Sequence, residues 1–161
     1  MSDRQTISLD HVDLRILSAL QNAADLTIAD LAEKVGMSST PVWKRVRRLE
    51  EAGVIASRVA LLDAELLGLK LTGFVLIRTS DHSKEWTERF KRAVATIPEI
   101  VEVHRMAGEV DYLLKVVAPD MAGYDRIYNR LIRDVSLTDV SASFSMERIK
   151  ATTALPLDYV A

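Results

Sequence analysis

The apolar positions in the amino-terminal part of the chain recur at helical intervals. Val12, Leu14, Ile16, Leu17 and Leu20 contain the i, i+3 and i+4 spacings of a helix packed on one side. Asp10 stands just ahead of them as an N-cap, a carboxylate placed to accept from the free amides of the first turn. After a break at residues 22–26, Thr27 is a second cap with Asp30 three residues on. Ile28, Leu31, Ala32 and Val35 follow at helical spacing in a short helix. Gly36 supplies a flexible turn position and Met37 a plug between helices. Ser38-Ser39-Thr40-Pro41 opens a third helix, where proline is tolerated because first-turn amides have no helical acceptor. Val42, Val46 and Leu49 form its inward stripe, and Gly53 ends it.

Beyond Gly53 the period changes. Residues 54–62 are rich in strand formers and residues 63–68 read as a turn, together a hinge. An apolar strand at 71–78 precedes an amphipathic helix from about Ser83 to Ile97, with Trp86, Phe90, Val94 and Ile97 on one side and Pro98 stopping it. Strands at 100–106 and 110–117 flank a tight turn holding Gly108 and Glu109, a hairpin signal. Pro119-Asp120 caps a further helix with Met121, Tyr124, Ile127, Tyr128 and Leu131 at helical spacing, and residues 140–146 alternate as a last strand. The order β-α-β-β-α-β predicts an α+β, ferredoxin-like sheet with both helices on one face. Its uncovered face calls for at least a dimer. The expected division is a helix-turn-helix domain at 1–55, a β-strand linker at 56–68 and the ferredoxin-like domain at 69–161.

The 161 residues are 48% hydrophobic and 27% charged, an ordinary globular balance. No run approaches the roughly 20 apolar residues of a membrane span, and the first residues lack the basic-then-apolar order of a secretory signal. A soluble, cytoplasmic protein is expected. Zero cysteine excludes disulfides and thiolate metal sites. The formal net charge of −2 gives no global hint of a polyanion partner, so the location of the cations decides.

They concentrate on the third helix. Ser38, Ser39, Thr40, Trp43, Lys44 and Arg47, with Arg45 and Arg48 flanking, put hydroxyls and cations on one three-turn element. Such a helix fits the B-DNA major groove, where hydroxyls and guanidinium forks reach base edges and lysine neutralises phosphate. The plainer alternative is a solvated face paired with Glu50 and Glu51. The short second helix, the Gly36 turn and the capped start favour a helix-turn-helix. Trp43 is open to two readings, partial burial or contact with sugar or a thymine methyl.

An enzyme finds little support. His11, His82 and His104 are far apart, without ligand spacing, and the six glycines form no phosphate-binding fingerprint. No cofactor is expected. A protein-binding helix would show an exposed apolar stripe, which the third helix lacks.

Four segments together resemble the leucine-responsive and asparagine regulator family, the feast/famine regulators of bacteria and archaea. They are Leu9-Asp10 through Ile16-Leu17, Leu31 through Ser38, Arg45 through Ile55, and Ala107 through Leu114. The resemblance implies a winged or plain helix-turn-helix for double-stranded DNA. It also implies a carboxy-terminal domain that forms homodimers, often four to a ring, with amino-acid effectors between dimers. The effector would lie at the turn from Gly108 to Asp111, where backbone amides hold a carboxylate. The implied set is Gly108, Glu109, Val110, Asp111 and Tyr112, with Val140 and Ala142 on the last strand. Val110 stands where the family frequently has an aromatic residue, and Val140 and Ala142 where it often has threonines. Asp111 is open between an ammonium ligand and a structural acceptor in the turn. The competing reading is an effector-independent architectural DNA-binding protein.

Overall fold

A computed structural model describes residues 7–159, so positions 1–6 and 160–161 of the expected domain ranges lie outside the described residues. The chain forms two compact units, one running to Leu61 and including the chain from Lys150 onward, the other spanning Leu62–Ile149.

The first unit contains α1 (His11–Asn22), α2 (Ile28–Val35) and α3 (Ser39–Glu51). Their starts follow local chemistry. The Asp10 carboxylate accepts from the Val12 and Asp13 amides at 2.9 Å each, and Asp13 reaches back to the Asp10 amide at 3.1 Å. Thr27 and Asp30 make the same reciprocal box at α2. Gly36 ends α2 with φ +66°, a left-handed conformation in which a side chain is strained. Ile16, Leu20, Leu31, Ala32, Val35, Val42, Val46 and Leu49 make the core, with Met37 packed against it. One charged group joins them: Asp13 is 0% exposed.

Two expectations are corrected here. Residues 54–62 form no strand, and Val59, Leu61 and Leu62 are exposed, because among the described residues no segment pairs with them to supply a ladder. The second domain was expected to run to the end of the chain. Instead, residues from Lys150 belong with the helical unit. There the Gln21 amide donates to the Leu155 carbonyl and accepts from the Leu155 amide, both at 3.0 Å.

The second unit contains β1 (Leu71–Arg78), α4 (Lys84–Ala95), β2 (Ile100–Arg105), β3 (Tyr112–Ala118), α5 (Met121–Asp134) and β4 (Asp139–Phe144). The sheet order is β2-β3-β1-β4, every neighbouring pair antiparallel. Strand alternation sends Val75, Ile77, Leu114 and Val116 into one core with Trp86 and Phe90 of α4 and Ile127 and Leu131 of α5. The other face carries Phe74, Leu76, Leu113 and Val117, all partly exposed. Ser83 caps α4 by accepting from the Trp86 amide at 3.1 Å, and Asp120 caps α5 through the Gly123 amide at 2.7 Å. Position 123 requires glycine, since a Cβ there would lie 2.9 Å from Pro119 Cδ.

Candidate nucleic-acid interface and effector turn

Burial of Val42, Val46 and Leu49 against α1 and α2 leaves Ser38, Ser39, Thr40, Trp43, Lys44, Arg47 and Arg48 exposed, with Arg45 half-buried. Ser38 makes no side-chain cap bond, so its hydroxyl is free to face outward. Trp43 is 50% exposed, a large apolar surface on an otherwise polar helix face. Among the described residues Lys44 has no ion-pair partner. Arg47 sits near Glu51 at 3.4 Å and Glu50 at 3.9 Å, in exposed pairs.

Arg45 and Arg48 are placed differently from the sequence expectation. Arg45 Nη1 donates to Asp10 at 2.7 Å and Asp13 at 2.8 Å, and Arg48 Nη2 donates to the other Asp13 oxygen. Both guanidiniums are turned to α1, because a carboxylate buried in the helical core demands partners. The Asp13 amide and the Arg45 guanidinium hold the Asp10 carboxyl down at about 2. The two carboxylates in turn push the Arg45 guanidinium further up.

In the second unit the turn between β2 and β3 is closed by the Met106 amide donating to the Asp111 carbonyl at 2.8 Å, with Gly108 at φ +127°. The Asp111 amide donates to the Ile77 carbonyl at 3.0 Å and its carboxylate accepts from the Thr79 amide at 2.8 Å. That carboxylate is therefore a structural acceptor for the end of β1. Its second oxygen is 3.9 Å from His82 Nδ1. Glu109, 91% exposed at its side chain, lies 3.5 Å from Arg78, and Val110 is half-buried. The Ser80 amide donates to the Thr138 hydroxyl at 2.9 Å, so the end of β1 and the chain leading into β4 share one polar loop cluster. Arg78, Thr79, Ser80, His82 and Thr138 had no motif of their own. Only the position of these loops at one end of the sheet singles them out.

Three members of the expected effector set point elsewhere. Tyr112 is 8% exposed, its ring 4.5 Å from Phe90 and 5.7 Å from Trp86. Val140 and Ala142 lie opposite Ile77 and Val75 and pack on the helix-side core. A strand alternates faces, so it is Ser141 and Ser143 that face outward from β4. Among the described residues no group of three or more His, Asp or Glu side chains is placed to hold a metal ion. No helix among them is long and apolar enough to cross a membrane.

A helix-turn-helix with a hydroxyl- and cation-bearing third helix, joined to a βαββαβ domain, defines a DNA-binding regulator with a separate sensing module. Residues 9–56 match the winged helix-turn-helix DNA-binding family, and residues 72–155 match the Lrp/AsnC ligand binding domain. The chain belongs to the Lrp/AsnC family of transcriptional regulators; it is a DNA-binding regulator, not an enzyme. It is 49% identical over 151 residues to the DNA-binding transcriptional activator DecR of Escherichia coli K12, covering 93% of this chain and 99% of that protein. The crystal structure of an AsnC family transcriptional regulator from Agrobacterium tumefaciens superposes with a TM-score of 0.92 at 53% identity, covering 95% of this chain and all of that one. A transcriptional regulator of Neisseria meningitidis, solved as a complex with L-methionine, superposes with a TM-score of 0.91 at 33% identity, covering 96% and 100%.

Proposed function

We propose that this protein is a sequence-specific transcriptional regulator of amino-acid metabolism whose DNA contacts come from the outward face of α3. The observation that carries the reading is that one helix exposes Ser39, Thr40, Trp43, Lys44 and Arg47 together while its opposite face is buried. Ser39 and Thr40 read base edges in the major groove, Trp43 covers sugar or a thymine methyl, and Lys44 and Arg47 neutralise phosphate. A DNA partner supports a cytoplasmic, nucleoid-associated location.

The effector is a free amino acid, held between dimers at the loop cluster of Gly108, Glu109, Val110 and Asp111. Its carboxylate meets the turn's amides. The ligand-binding domain match and the L-methionine bound to the Neisseria relative support this. Dimerisation through the half-exposed sheet face of Phe74, Leu76, Leu113 and Val117 gives two recognition helices per molecule, and four dimers would close a ring. A second reading, an effector-independent architectural DNA-binding protein, is favoured by the inward direction of Val140 and Ala142, which leaves Asp139, Ser141 and Ser143 as the outward residues of β4.

Two measurements test these readings. In the first, a duplex selected from a random pool by the wild-type protein is titrated with the Lys44→Ala/Arg47→Ala variant. Loss of binding with a flatter salt dependence is expected, and unchanged binding overturns the α3 assignment. In the second, thermal unfolding is followed against a panel of amino acids. A raised midpoint for one of them identifies the effector by mass action, and no shift at millimolar levels leaves the architectural reading.

A further inference from the structure

We infer that Asp13 is a positioning residue for DNA recognition: its buried carboxylate fixes α3 against α1 and withdraws Arg45 and Arg48 from the phosphate-binding set. This rests on α3 being the DNA helix. The Asp13 side chain is 1% exposed, with one oxygen accepting from Arg45 Nη1 at 2.8 Å and the other from Arg48 Nη2 and the Asp10 amide. Arg45 is shared with Asp10 at 2.7 Å, so both helices are tied together through two guanidiniums and two carboxylates.

The two kinds of arginine on α3 differ in what it takes to free them. Arg47, 55% exposed, faces glutamates that are 33% and 69% exposed; such pairs are weak in water and exchange readily for a DNA phosphate. Arg48 is 47% exposed, but its partner, like that of Arg45, is a carboxylate that water does not reach; moving either guanidinium to phosphate leaves that buried charge only partly compensated, which is unfavourable. Arg45 and Arg48 therefore stay on Asp13 when DNA binds. The phosphate-neutralising cations of α3 are Lys44 and Arg47, half the number that the four basic residues suggest.

The test is the salt dependence of binding by the full-length protein, on the selected duplex and on a random duplex of equal length. Each phosphate contact contributes about 0.9 to the slope of log affinity against log salt. Lys44→Gln and Arg47→Gln are each expected to flatten that slope by about 0.9 per bound subunit. Arg45→Gln and Arg48→Gln are expected to weaken binding while leaving the slope unchanged. Asp13→Asn releases Arg48 and leaves Arg45 on Asp10 alone, so it is expected to steepen the slope by about 0.9, up to about 1.8 where Arg45 also reaches phosphate, and to reduce discrimination between the two duplexes. Adding Arg48→Gln to Asp13→Asn should return about 0.9 of that increase. Flattening in Arg45→Gln or Arg48→Gln equal to that of Lys44→Gln overturns the inference, as does an unchanged slope in a folded Asp13→Asn. If Asp13→Asn fails to fold by circular dichroism, the two arginine variants decide. Unchanged slopes in Lys44→Gln and Arg47→Gln would instead reject α3 as the DNA helix.

Discussion

Replacing Asp111 separates its two readings. Its carboxylate is the acceptor for the Thr79 amide at 2.8 Å, and Thr79 is 8% exposed, so removing the acceptor leaves a nearly buried donor without a partner. A hydrogen bond to a charged group contributes about 1.5–3 kcal/mol. The Asp111 side chain is 29% exposed, which lets water replace part of what is lost and puts Asp111→Ala at the lower end, about 1.5–2 kcal/mol. Asp111→Asn keeps an acceptor oxygen of the same reach and should cost under about 1 kcal/mol. Urea unfolding with a shared slope measures both. The amino-acid thermal-shift panel then asks a separate question of Asp111→Asn: loss of the ligand-induced shift with stability retained would assign the charge to an effector ammonium as well. An unchanged urea midpoint in Asp111→Ala, or equal losses in the two variants, refutes the structural-acceptor argument.

Phe90→Ala should cost about 3–5 kcal/mol in urea unfolding, because the ring is 1% exposed between Trp86 and Tyr112 and the helix layer cannot fully close over the gap. At Gly36 an added Cβ meets nothing within 4 Å, so Gly36→Ala should cost about 1 kcal/mol from backbone strain alone and Gly36→Asn distinctly less. Acid stability is also defined. The Asp10 carboxyl is held at about 2 in the folded chain against an ordinary 3.8, so its contribution is complete above the unfolded value and disappears as pH falls between the two. Asp10→Asn should remove that part of the acid-unfolding slope, and an identical slope would count against the Asp13 amide and Arg45 as its cause.

The elements that were legible are those whose chemistry is local. Asp10 with Asp13, Thr27 with Asp30, Ser83 and Asp120 each satisfy amides within the next few residues, so spacing alone places the helix starts. Gly36 and Pro98 mark stops for equally local reasons. Residues 54–62 show the opposite case: strand propensity describes what a segment accepts, while a strand exists only where a second one supplies the ladder. The return of the chain from Lys150 onward to α1 includes the pairing of the Gln21 side chain with the Leu155 backbone, across 134 positions of sequence. Nothing periodic announces such a contact.

The helix and the turn that carry the proposed site were legible in the chain, and the directions of their side chains less so. Which of Val140, Ser141, Ala142 and Ser143 faces outward from the sheet is a matter of register, fixed by the pairing of β4 with β1. The charge clamp did carry a signal. Asp13, Ile16 and Leu20 share the i, i+3, i+7 stripe of α1, while Arg45 is three residues after Val42 and four before Leu49, at the margin of the α3 stripe. An acid within one apolar stripe and an arginine beside the other are improbable as independent solvated residues, since burying either alone is strongly unfavourable and pairing them offsets much of that cost. Counting basic residues along α3 overlooks that condition. Reading each cation against the helical phase of its neighbours separates those that hold the fold from those left facing solvent.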